Sequence, residues 1–233
     1  MENGRIFITG DIHGDDSIRK LSARSFPEGK TLKRHDYVII LGDFGLVWCN
    51  DKNDKYWLDW LDEKPWTTLF IDGNHENHNL LSEYPIEHSF GGQVRFIRAN
   101  VIHLMRGEVY RIGDKIFFTM GGAQSHDIQY RTENKDWWRN ELPDENELSH
   151  GEKNLANYNN KVDYILTHCA PGRIQGRISD LYCENRLTEY FNKISEKVDF
   201  MKWFFGHYHI SKFIDDKFVA LYNDIYELEE TGL

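Results

Sequence analysis

Cysteine, proline and basic charge are what this sequence is short of, and each shortage removes a class of protein. The three cysteines (Cys49, Cys169 and Cys183) are odd in number, far apart and without a Cys-x-x-Cys pair. That pattern excludes a disulfide framework and fits a reducing compartment. Only five prolines occur in 233 residues, and no Pro-, Gly- or Ser-rich stretch reads as a linker. With no internal repeat either, one domain over 1–233 is expected, since domains usually hold about 100–200 residues. No apolar run approaches the roughly 20 residues of a membrane span. The opening Met1-Glu2-Asn3-Gly4 lacks a basic segment followed by an apolar one, so the expected location is cytoplasmic. Lys and Arg number 28 against 38 Asp and Glu, a net charge of −10. A surface of that sign repels long nucleic acid and anionic lipid. Nothing in the pattern sets an oligomeric state.

Apolar residues at 40% and aromatics at 14% suffice for a core, which excludes wholesale disorder. Five short apolar runs share one format, ending in a small residue that leads straight into polar groups. They are 5–10 before Asp11, 37–42 before Asp43, 68–73 before Asn74, 164–167 before His168 and 202–206 before His207. Rich in β-branched and aromatic residues, they read as buried strands. Helical patterns over 16–24 and 51–63 alternate with the first three, which predicts βαβ units and a largely parallel sheet. Between 93 and 123, four strand-like runs joined by short turns at Asn100, Gly107 and Gly113-Asp114 predict a second, antiparallel stretch. A closing hairpin is expected over 213–222, turning at Asp215-Asp216. The polar segment 125–151 reads as a loop or cap insertion, overlapping a helix from about 145 to 160 whose acidic start suits the helix dipole. Two sheets packed face to face, with helices outside, fit this order.

Chemistry concentrates at the strand ends, where open α/β sheets gather ligands. Asp11 and His13, like His207 and His209, are spaced two apart, so an extended loop points both members the same way. Together with Asp43, Asn74 and His168 they supply seven oxygen and nitrogen donors. That is too many for one four-coordinate zinc ion and suits two divalent metals that share a carboxylate. Metals roughly 3.5–4 Å apart acidify a bridging water and neutralise both the attacking and leaving oxygens of a phosphoryl group. Singly, each motif is a common turn, cap or core histidine; jointly they make a complete ligand set.

Gly10-Asp11-Ile12-His13-Gly14, Gly42-Asp43, Gly73-Asn74-His75-Glu76, Thr167-His168 and Gly206-His207-Tyr208-His209 resemble the five ordered motifs of the calcineurin-like metallophosphoesterases. The resemblance implies an α/β fold: a four-layer α/β/β/α sandwich of two mixed sheets flanked by helices. It implies that Asp11, His13, Asp43 and His209 hold one metal, and that Asp43, Asn74, His168 and His207 hold the other. Manganese is the first expectation, with iron or zinc as alternatives. It further implies hydrolysis by a bridging hydroxide, with His75 as the general acid and Glu76 orienting the loop or His75. Protein phosphatases of this family follow the bridging Asp with an Asp-Arg-Gly stretch, whereas this chain reads Asp43-Phe44-Gly45. That departure points to a small or nucleotide-like phosphomonoester or phosphodiester rather than a phosphoprotein.

Arg131 and Arg173 are candidate phosphate anchors, with Arg177 behind them, each weighed against a solvated surface role. Trp137-Trp138 reads as local core or a base-stacking platform. His126 is a candidate neighbour of the site; His35, His78, His88, His103 and His150 lack ligand spacing. Competing readings are a metal-dependent nuclease, a catalytically silent scaffold on the same fold, and a cysteine hydrolase through Cys169. A nuclease needs a basic track that is missing, and a scaffold usually loses ligands that are all present. Two divalent ions against Asp11 and Asp43 leave a local positive excess inside an acidic shell. Such a pocket accepts one phosphate group and disfavours a long polyanion.

Overall fold

The computed structural model describes residues 4–228. Its first three apolar runs form β1 (Ile6–Thr9), β2 (Tyr37–Leu41) and β3 (Thr67–Ile71). They lie side by side and parallel, with Ile8 opposite Ile39 and Ile39 opposite Leu69. Next come β6 (Val101–Leu104), parallel to β3, then β5 (Gly92–Arg98) and β4 (Glu87–Ser89), each antiparallel to its neighbour. At the other edge β13 (Ile225–Glu227) runs antiparallel to β1, giving the order β13-β1-β2-β3-β6-β5-β4.

The second sheet has the order β11-β12-β10-β9-β8-β7. Its members are β7 (Val109–Ile112), β8 (Lys115–Met120), β9 (Tyr164–Thr167), β10 (Lys202–Phe205), β11 (Lys212–Phe213) and β12 (Phe218–Ala220). The inner four strands are parallel, and β7 and β11 are antiparallel edges. The expected closing hairpin is β11 with β12.

Alternation along the strands divides the apolar side chains between layers. Ile8, Ile39, Leu69 and Ile71 face the second sheet and meet Phe117, Leu166, Phe204 and Val219. Phe7, Val38, Ile40 and Phe70 face outward, onto Trp57, Leu58 and Leu61 of α1 (Lys52–Asp62). Behind the second sheet, Phe118, Ile165, Trp203 and Phe205 pack against α3 (Glu145–Asn157) and α5 (Arg186–Lys197). Short helices α2 (His78–Glu83) and α4 (Gly172–Gln175) follow β3 and β9. The result is an α/β/β/α sandwich of two mixed sheets.

Local chemistry accounts for the helix starts. Asp51 caps α1 by accepting from the amides of Asn53 and Asp54, and Asp144 with Glu147 forms a capping box on α3. The acidic run is thus the solvated helix start expected there. Other expectations shift. The pattern over 16–24 yields a 3-10 turn at Ile18–Leu21, since apolar residues three apart suit three residues per turn equally well. The stretch 93–123 divides between the sheets: β5 and β6 belong to one, β7 and β8 to the other. Gly107, at φ +73°, stands in the crossing between them. Alternation marks a strand but not the sheet it joins. β4 and β13 escape sequence reasoning because each is only three residues long, too short to show a strand rhythm. Among the described residues no helix is long and apolar enough to cross a membrane.

One buried contact joins this core to the strand ends. The indole of Trp203, fully buried in β10, donates to Thr167 Oγ1 at 2.7 Å, and that hydroxyl donates onward to the Cys169 carbonyl at 2.7 Å. Thr167 is the residue before His168. Trp203→Ala is expected to lower the unfolding free energy by about 3–5 kcal/mol. Urea denaturation measures this as a lower midpoint at similar slope; a loss below about 1 kcal/mol would contradict the placement.

Candidate metal centre

The C-terminal ends of β1, β2, β3, β9 and β10 deliver every donor singled out in the sequence. Sharp turns aim the side chains back over the strand ends. Among the seven, His13, Asp43, His207 and His209 hold left-handed φ values of 46°, 45°, 67° and 51°. For residues with a Cβ this conformation costs about 1 kcal/mol or more apiece and persists only where surroundings enforce it. Close approach of the backbone is part of the enforcement: a Cβ on Gly73 would overlap the Asp43 carboxylate, and one on Gly206 would overlap Asp11.

Two clusters meet at the aspartates. In the first, His13 Nε2 and His209 Nε2 lie 2.9 Å apart. Asp11 Oδ2 is 3.6 Å from the former and 3.4 Å from the latter, and Asp43 Oδ2 is 3.8 Å from His13. In the second, His168 Nε2 is 3.2 Å from both Asp43 Oδ1 and Asn74 Oδ1. The His207 ring lies 5.0 Å from that of His168. Potential ligand atoms of Asp11, His13 and His209, and those of Asp11, Asp43 and His168, each fall within 4.8 Å of one another.

Hydrogen bonding shows how these atoms are oriented. His168 Nδ1 is 2.7 Å from the Leu41 carbonyl, so its hydrogen is donated there and Nε2 of the neutral ring is a lone pair. That lone pair, the Asp43 carboxylate and the Asn74 carbonyl converge, an arrangement tolerable only with a cation or proton among them. Burial opposes the charge on His168, but Asp43 and then Asp11 outweigh it and lift the group to about 10. Burial likewise opposes the charges of Asp11 and Asp43, yet their histidine partners hold both well below the usual carboxylate range. Burial and the charge of His168 push His207 down to about 3, which keeps the ring neutral. Asp11 Oδ2 is buried without a hydrogen-bond partner. The donor set and this orphaned oxygen fit divalent metal.

Several groups support these donors, and of them Lys20, Tyr222 and Ser125 carry no signal readable from sequence. Half-buried Lys20 donates to the carbonyls of Gly10 at 2.9 Å, Asp11 at 2.8 Å and Tyr222 at 2.6 Å, clamping the first loop. The Tyr222 ring stacks on His209 at 4.4 Å. Glu76, expected to orient a loop or His75, accepts from the Phe44 and Gly45 amides at 2.7 and 3.2 Å. Burial pushes it up to about 8, with Asp43 adding to the effect. Ser125 lies 3.3 Å from Asn74 Nδ2. The i, i+2 spacings hinted at paired ligands, but contacts of this kind form only across distant segments.

His75 borders the first cluster, its ring 5.3 Å from that of His13. Its amide donates to Asp43 Oδ1 at 2.7 Å. Arg131 reaches the same place: Nη1 stands 3.4 Å from His75 Nδ1, and Asp127 grips the guanidinium at 2.6 and 2.9 Å. Arg173 does not join them. Its guanidinium pairs with Glu196 at 2.9 Å and bonds Ser195 on α5. Arg177 is held by Asp215. A cavity of about 440 Å³, lined by His13, Asp16, Leu46, Trp48 and His75, opens beside the first cluster. A second, of about 270 Å³, lies beyond His207 and His126. Trp138 is buried edge-on to Trp48 at 5.1 Å, the local-core alternative for that residue. Cys169 is buried and pushed up to about 12 by that burial, which removes the thiolate a cysteine hydrolase needs.

A family model described as calcineurin-like phosphoesterase matches residues 4–211. Among solved structures, the chain resembles a Staphylococcus aureus protein described as a 5′-nucleotidase, in complex with alpha-ketoglutarate, at a TM-score of 0.53 and 12% identity. The match covers 96% of this chain and 50% of that one, so the chain spans about half the length of this neighbour; the likeness is one of fold. No curated protein matches.

Saturating Mn²⁺ is expected to raise the melting temperature, with about 2.7 kcal/mol of stabilisation at a hundredfold excess over Kd. EDTA should abolish the gain, and Gly73→Ala, which forces Asp43 aside, should remove most of it. Thermal unfolding with and without Mn²⁺ tests this; an undiminished gain in the variant would contradict the packing of Asp43 on Gly73.

Proposed function

The chain belongs to the calcineurin-like phosphoesterase family, and we propose that it hydrolyses a small or nucleotide-like phosphomonoester or phosphodiester with two divalent metals, Mn²⁺ first among the candidates. The observation that carries this reading is Asp43, whose Oδ2 faces His13 while Oδ1 faces His168. Asp11, His13, Asp43 and His209 would hold one ion, and Asp43, Asn74, His168 and His207 the other. Bound there, divalent ions supply positive charge to phosphoryl oxygens and acidify water.

The chain's own groups divide the remaining work. His168, oriented by the Leu41 carbonyl, keeps its lone pair toward the site. His75 lines the cavity of about 440 Å³, its backbone tied to Asp43, as the group that protonates the leaving oxygen. Burial holds its imidazole below the usual range, Asp43 opposes this, and Arg131 adds to it. A protonated His75 therefore gives up its proton readily. Arg131, fixed by Asp127 and the Asp136 carbonyl, sets a positive edge beside His75 for a phosphate oxygen. The cavity accepts a leaving group of modest size, and the net charge of −10 disfavours long polyanions. Free Cys49, Cys169 and Cys183 accord with a reducing, cytoplasmic setting.

Mn²⁺-loaded protein is expected to hydrolyse at least one member of a panel of phosphomonoesters, cyclic nucleotides and dinucleotides. Nucleoside monophosphates come first, on the likeness to a nucleotidase. No turnover anywhere on the panel would overturn the reading. In His75→Ala, kcat is expected to fall about 10²–10⁴-fold with metal content unchanged. Loss of metal in that variant would refute the general-acid role.

A further inference from the structure

An asparagine ligand poses a problem that an aspartate does not. Its amide presents an oxygen and a nitrogen of nearly the same shape, and only the oxygen can hold a cation. For Asn74, something must keep Oδ1 toward His168 and Nδ2 away.

The segment 125–151 supplies the means. Ser125 and Glu141 are both buried beside Asn74. The Ser125 amide donates to Glu141 Oε1 at 3.0 Å, and the Ser125 hydroxyl donates to Glu141 Oε2 at 2.6 Å. A carboxylate only accepts, so the hydroxyl's single hydrogen is committed to Glu141. Its oxygen is left able only to accept, and what lies 3.3 Å away is Asn74 Nδ2. The chain of donors thus has one direction, Asn74 to Ser125 to Glu141. It leaves Asn74 Oδ1 facing His168 Nε2 at 3.2 Å.

The spacing of this relay is itself secured. Buried Arg106 donates to Asp72 at 2.7 Å, two residues before Asn74. The same guanidinium donates to the carbonyls of Asn140 at 2.8 Å and Glu141 at 3.3 Å. One side chain therefore fastens the Glu141 segment to the strand end that carries Asn74.

We propose that Glu141, acting through Ser125, is a positioning residue that fixes the polarity of the Asn74 amide and so enables metal binding on the Asn74–His168–His207 side. The inference rests on the reading of Asn74 as a ligand. Glu141→Gln is the isosteric test. Glutamine has one acceptor oxygen, which the Ser125 amide takes. Its NH₂ then faces the hydroxyl, whose hydrogen is freed to turn to Asn74 and draw the amide oxygen away.

Mn²⁺ binding is followed by titration calorimetry, with Asn74→Ala as reference and melting of the metal-free proteins as the fold control. Glu141→Gln is expected to weaken the same binding step as Asn74→Ala, by about 10–100-fold, with little change in metal-free melting. Asn74→Asp/Glu141→Gln should restore that step towards wild type, because an aspartate accepts the freed hydroxyl hydrogen. If the glutamine variant does not fold, Ser125→Ala, which removes the acceptor for Nδ2, carries the same expectation. Unchanged Mn²⁺ affinity in Glu141→Gln, beside a weakened Asn74→Ala, would overturn the positioning role and leave the ligand reading standing. Unchanged affinity in Asn74→Ala would overturn both, and failure of the double variant to recover would overturn the polarity argument.

Discussion

Two buried carboxylates set the terms for the rest of this molecule. Asp11 and Asp43 stand together where the strand ends of two sheets meet, each nearly without solvent and each raising the cost of the other's charge. Charge in such a place persists only if it is paired and hydrogen-bonded. The pairing comes from backbone as well as side chains: the His207 amide donates to Asp11 at 3.0 Å and the His75 amide to Asp43 at 2.7 Å. Imidazoles from three separate strand ends complete the surround. Even so, Asp11 Oδ2 is left without a hydrogen-bond partner. An oxygen so placed, among histidine and carboxylate donors, fits a divalent cation.

Stability is given up to achieve this. Four donors sit in left-handed backbone, glycines press against carboxylates, and Lys20 is half-buried where its ammonium gathers three carbonyls. Burial alone pulls Lys20 down to about 8, with Asp11 opposing. The three apolar cores lie beneath these loops and carry no such strain. A rigid sandwich holding a strained rim is how a fold keeps groups where unconstrained loops would not leave them.

The charge distribution gains meaning from this layout. A net charge of −10 reads first as a bar to anionic ligands. Inside the site the lone pairs point inward, so metal binding would reverse the sign over a few ångströms while the shell stays acidic. Screening confines each effect to about a Debye length, roughly 8 Å at physiological salt. A single phosphate within the pocket and a polyanion along the surface therefore meet opposite potentials.

Much of this was legible in the chain. The five apolar runs became central strands because buried parallel strands need continuous β-branched and aromatic residues, and the donors fell at their ends because loops there escape the core. The helix over 51–63 was readable from its Trp57, Leu58 and Leu61 face, whereas 16–24 was not, since Ile18 and Leu21 suit a 3-10 turn as well. The three-residue strands β4 and β13 pair along the edges of a sheet that distant segments build. By itself the sequence determined which residues are apolar in strand rhythm and which donor types follow them, properties that spacing and residue type express locally. Only the tertiary structure decided that β6 and β7 part into different sheets, that Arg131 reaches His75 while Arg173 does not, and that Glu141 stands behind Asn74. Those outcomes depend on contacts between segments tens of residues apart, and no local pattern records them.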